Sequence, residues 1–80
     1  MKVKLVAYGI AKDILATKVN ELAVEENATI ETLKNKLLTE YPLFSNLRKL
    51  SFAVGVEYRE DTFPLKDGDE VVIIPPVSGG

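Results

Sequence analysis

The sequence closes on Gly79-Gly80, and a diglycine carboxylate is a group that can serve as a reagent. A terminal glycine has no Cβ, so its carboxylate is the least hindered acyl group a chain can present. The glycine before it lets backbone lie in a narrow channel where a side chain would clash. Four residues lead into the pair: Pro75, Pro76, Val77 and Ser78. Extended, residues 75–80 reach up to ~20 Å. The two prolines fix φ and disfavour folding back, so the tail is expected to leave the globule stiffly before the glycines free it. Ordering a stiff segment in a partner costs less entropy than ordering a loose one.

The residues that are missing narrow the chemistry further. Among 80 residues there is no cysteine and no histidine. A thiol nucleophile, an iron–sulfur cluster and a disulfide frame are thereby excluded. So are the usual general base near neutral pH and zinc sites of the Cys/His type. The carboxylates show no clustered ligand spacing, so no metal is expected. The chain is expected not to be an enzyme on its own. Its formal net charge is −2 and its basic residues are scattered, which argues against nucleic acid as a partner. No apolar run reaches the ~18 residues of a membrane span. Met1-Lys2-Val3-Lys4-Leu5 reads as a strand and not as a signal peptide, so the cytoplasm is the expected compartment.

The elements that must position the tail can be read from periodicity. The length allows one domain with a modest core. Lys2 to Tyr8 alternates as a strand, with Val3, Leu5 and Ala7 on one face and Lys2, Lys4, Val6 and Tyr8 on the other. Gly9 breaks it, and residues 11–15 form one helical turn or a loop. A second strand is expected over 17–24 and a turn over 25–28. Thr29 is a suitable N-cap for a helix reaching Tyr41, with Glu31 in its first turn. Ile30, Leu33, Leu37 and Leu38 make its apolar face, where only Lys34 breaks the template. Pro42 stops it. Residues 43–49 read as a loop tucking Leu43, Phe44 and Leu47 inward. A strand is expected over 50–56, a polar turn or short strand around Tyr58, a tight turn at Asp67-Gly68-Asp69, and a last strand from Glu70 to Ile74.

This order gives an α+β layer pair: a mixed sheet of four to five strands with one main helix packed on it. Residues 1–74 form the domain and 75–80 the extended tail. Helix cover on one face leaves the other to solvent, where a polar surface is the norm. Instead Val6, Val72 and Ile74 fall there. An uncovered apolar patch beside the tail marks a protein interface, unless the loop after the helix covers it.

Asp67-Gly68-Asp69-Glu70-Val71, followed by Ile74-Pro75-Pro76-Val77-Ser78-Gly79-Gly80, resembles the C-terminal signature of the small-subunit family of molybdopterin synthase. Chain length, the single main helix and the Ala53-Val54 strand core are similar as well. The resemblance implies the ubiquitin-like β-grasp fold. It implies that a ubiquitin-activating-type adenylyltransferase adenylates Gly80 with ATP, that a sulfur donor protein supplies the sulfur of a thiocarboxylate, and that the synthase large subunit receives the tail, in a heterotetramer. Two transfers to cyclic pyranopterin monophosphate would build the molybdopterin dithiolene. No tightly bound cofactor is implied; ATP belongs to the activating enzyme. Tyr8, Val72 and Ile74 become docking residues, with Pro75, Pro76, Val77 and Ser78 in the partner's channel and Gly79 beside the reacting Gly80. Two positions depart from the family pattern: Lys12-Asp13 lacks the glycine that often follows, and Gly55 stands where asparagine is frequent. Sulfur delivery to thiamine or tRNA, a protein-conjugating modifier, and an interaction module without C-terminal chemistry are the competing roles.

Overall fold

The computed structural model describes residues 1–46 and 50–74. The expected position of Leu47 and every expectation for residues 75–80 lie outside them. Within the described residues are five strands, two α-helices and one 3₁₀ turn. In chain order they are β1 (Lys2–Ala7), α1 (Gly9–Leu15), β2 (Val19–Ala23), α2 (Ile30–Glu40), the 3₁₀ turn (Pro42–Asn46), β3 (Ser51–Val54), β4 (Glu57–Arg59) and β5 (Glu70–Ile74). The sheet order is β2-β1-β5-β3-β4. β1 and β5 run parallel at its centre, and the other pairs are antiparallel. This is the β-grasp arrangement.

The core lies on one side of the sheet. Val3, Leu5 and Ala7 of β1, Val71 and Ile73 of β5, and Phe52 of β3 point there and are buried. Ile30, Leu33 and Leu37 of α2 meet them, as expected from the 3.6-residue spacing. Leu38 packs at the margin, half-buried. The helix starts as its sequence asks. The Thr29 backbone N–H donates to Thr32 Oγ1 (3.2 Å), and the Thr32 N–H donates to Thr29 Oγ1 (3.3 Å), closing a capping box. It ends at Tyr41, whose N–H donates to the Leu37 carbonyl before Pro42 intervenes. Lys34, the one mismatch in the apolar template, has a half-buried side chain and places Nζ 2.9 Å from Asp61 Oδ2.

Four expectations are corrected. The segment after β1 is a complete short helix, α1, not a single turn or loop; Ala11 and Leu15 are buried in the common core, and the sheet is covered by two helices. Its Ala16 C-cap takes φ 62°, a left-handed conformation that stops the helix at once. Tyr8 is the extended N-cap of α1, one residue past the end of β1. Leu43 is 60% exposed while Phe44 is buried, because successive residues of a 3₁₀ turn point about 120° apart and only one can face inward. Val56 does not continue β3. The strand ends at Val54, and Gly55-Val56 forms the two-residue turn of the β3–β4 hairpin, leaving Val56 97% exposed. Gly55 has φ +67°, a left-handed conformation that glycine adopts freely and asparagine also tolerates.

Candidate functional site

The strand that carries the tail is central. β5 ends at Ile74, opposite Ser51 of β3, and Ile73 lies beside Ala7 of the parallel β1. Parallel pairing brings the ends of β1 and β5 to the same side of the molecule. Tyr8, immediately after Ala7, therefore stands next to the point where residues 75–80 begin. The residue is 51% exposed, and its ring lies under the Lys18 ammonium, 5.4 Å from the ring centroid. Of the expected docking residues, the structure thus brings Tyr8 and Ile74 together at the exit.

Val72, two residues back, belongs to a larger feature set by register. Val6 is opposite Val19 on one side and Val72 on the other; Val72 is opposite Ala53, and Ala53 opposite Tyr58. On the face that carries no helix, these five residues make one apolar row across all five strands. Val6 and Ala53 are buried within the row, Val72 between them is half-buried, and the ends are open. Val6 is only 7% exposed despite having no helix above it, because Val19 and Val72 flank it. Tyr58 is 68% exposed at the outer edge. The 3₁₀ turn does not cover this face, since it packs against α1 and α2 on the core side. A continuous apolar row with exposed ends, one of them aromatic, has the composition of an interface centre, where Tyr is enriched.

Tyr58 was missing from the sequence-derived site. Three residues of edge strand give too short a pattern to place a side chain on a face, and only the pairing with Ala53 does so. Its aromatic character in a polar turn was the one available signal. Pro75, Pro76, Val77, Ser78, Gly79 and Gly80 lie outside the described residues. Among those described, no three Asp, Glu, His or Cys side chains converge to hold a metal ion. Among the described residues no helix is long and apolar enough to cross a membrane.

Known proteins share this arrangement. A model of the ThiS family matches residues 8–80. The molybdopterin synthase sulfur carrier subunit of Chlamydomonas reinhardtii is 31% identical, the alignment covering all of both chains. Among solved structures, a chain in the complex of subunits 1 and 2 of molybdopterin-converting factor from Helicobacter pylori superposes with a TM-score of 0.70 at 25% identity, covering all of both chains. The small archaeal modifier protein 1 of Haloferax volcanii superposes with a TM-score of 0.82 over 95% of this chain and 98% of that one, and at 16% identity it attests the fold alone.

Proposed function

The chain belongs to the ThiS family, and from that premise we propose that it is the sulfur carrier subunit of molybdopterin synthase, acting through its C-terminal glycine. The observation that carries the reading is the position of β5. The strand that bears the Gly-Gly tail is central, and it ends at an uncovered apolar face, so a partner that grips the sheet is aligned to receive the tail.

The chemistry follows from the weakness of a carboxylate as an electrophile. A Gly80 oxygen attacks the α-phosphorus of ATP and pyrophosphate departs, leaving an acyl adenylate. A sulfur nucleophile held by a donor protein then attacks the carbonyl carbon and AMP leaves. With a persulfide as that nucleophile the product is an acyl disulfide; a second thiol of the donor then attacks the donor-side sulfur, so that a donor disulfide forms and the thiocarboxylate, a good sulfur nucleophile, is released. In the large subunit that sulfur attacks the pyranopterin precursor, and water then cleaves the acyl–sulfur bond, leaving the sulfur on the precursor and returning the Gly80 carboxylate. The carrier supplies no general base in these steps; it supplies the acyl group, its reach and its alignment. On this reading the small chain is non-catalytic, and the activating enzyme and large subunit hold the catalytic groups. Gly79 passes through their channels because it has no Cβ.

Deleting Gly80 tests this directly. The acyl group then belongs to Gly79 and lies up to ~3.5 Å short of its place, a large error where reacting atoms must meet at ~3–3.5 Å. ATP–pyrophosphate exchange with the activating enzyme is expected to fall to background. Intact mass after incubation with ATP and the sulfur donor is expected to show a gain of about 16 Da in the parent chain only, sulfur for oxygen at the activated acyl group. A deletion variant that charges at the parent rate and supports molybdopterin formation overturns the reading.

A further inference from the structure

The apolar row gives adhesion but no direction. Turned by half a revolution about the normal to the sheet, it would bury much the same surface, with the tail pointing away from its acceptor. The residues on either side of the row break that symmetry. Toward the exit stand Tyr8, Ile74 and Ser51, with the Lys18 ammonium over the Tyr8 ring. One step the other way, the register sets Glu21, Lys4 and Glu70 side by side on β2, β1 and β5. All three are exposed. Among the described residues none of them is in an ion pair. Neighbouring strands are about 4.8 Å apart, so the two glutamates flank the lysine at nearly equal distance. They lie about 13 Å along the strand from Ile74.

The surroundings reinforce the sign. At that end the Met1 ammonium is paired with Glu26, and the remaining carboxylates of Glu21, Glu70, Asp67 and Asp69 outnumber the ammonium groups of Lys2, Lys4 and Lys66 by one. Asp67 and Asp69 are fixed there by the turn. Asp67 Oδ1 accepts from the Lys2 backbone N–H at 2.8 Å, and Asp69 Oδ2 from that of Lys66 at 2.8 Å. The open face therefore runs from an acidic far end, across an apolar middle, to a cationic, aromatic exit. Resting on the reading above, we propose that the Glu21–Lys4–Glu70 tier is an orientation key. It is read by a basic edge on the synthase large subunit, so that the sheet seats with the tail toward the acceptor. Charges at such a rim act mainly on the rate and direction of encounter, while the apolar row holds the complex once formed.

The test is association of the full-length carrier with the purified large subunit, followed by stopped flow across a range of salt. Glu21→Lys with Glu70→Lys is expected to lower kon about tenfold at low salt, with the deficit shrinking as salt rises and koff changing little. Lys4→Gln is expected to raise kon slightly, a change of opposite sign that misfolding would not produce. Should the double reversal melt early, Glu21→Gln with Glu70→Gln carries the same expectation at smaller size. Unchanged kon in both glutamate pairs overturns the key. Slowing confined to the activating enzyme overturns the assignment to the large subunit. A parent chain that binds the large subunit not at all overturns the sulfur-carrier reading itself, and the key with it.

Discussion

β5 has two sides with nearly the same chemistry and opposite fates. Val71 and Ile73 are fully buried under the helices, whereas Val72 and Ile74 face the side with no helix and are half-buried. Valine and isoleucine occur in both pairs, so the side chains alone do not explain the difference. What differs is the cover. On the core side, α2 and α1 bring Leu33, Leu37, Ala11 and Leu15 into one cluster with the strand. On the open side the neighbours among the described residues are other strand residues, Val6 and Ala53, with no helix over them. Burial on the first side stabilises the fold; apolar area left on the second is available for association. The two faces should therefore answer mutation separately.

The covered face gives the largest expected effect on stability. Leu37 is 1% exposed at the centre of the α2 contact, and Leu37→Ala should cost about 2–5 kcal/mol. Chemical denaturation measures it. Where the variant still folds, binding to the large subunit should be unchanged. A loss below about 1 kcal/mol would mean that the helix face collapses onto the gap far better than usual cores do. A smaller loss is expected at the edge of the same layer. Thr29→Ala removes the hydroxyl that accepts from Thr32, and a cap of this kind contributes about 0.5–2 kcal/mol. Thr29→Asn should retain most of it, which separates the cap from any packing of the methyl group.

These effects show which parts of the molecule were legible before the structure. α2 was legible because three signals coincide: a threonine cap, apolar residues at helical spacing and a following proline. β1 and β5 were legible from alternation and from the paired apolar run. α1 was not, because Ile10, Ala11, Ile14 and Leu15 span too few residues to tell a seven-residue helix from a loop. Val56 was misplaced since a period of two passes unbroken through a two-residue turn, and only the positive φ of Gly55 reveals the reversal. The open face was partly legible. Val6, Val72 and Ile74 followed from alternation within single strands. The row they join depends on register between strands distant in sequence, which alternation does not fix.

Tyr58 is where the comparison can be made sharpest, since it should matter least to folding. It sits on edge strand β4 opposite Ala53, with 68% of its surface exposed. Tyr58→Ser removes an aromatic side chain but little buried area, so stability should move by about 0.5 kcal/mol or less. Some of that is strand propensity, which falls when an aromatic residue leaves a β position. The complex should respond differently. An exposed tyrosine at the end of an apolar row offers a large rigid surface at small entropic cost. If a partner buries it, truncation should cost at least about 1 kcal/mol of affinity, and more if the ring fills a pocket. Calorimetric titration against the large subunit beside a thermal melt of the same sample reads both quantities. A variant that binds as tightly as the parent would confine docking to the exit side of the sheet, around Tyr8 and Ile74. A variant that melts several degrees lower would show that the edge of the open face contributes to the fold, and the division between the two faces would then hold only at the sheet's centre.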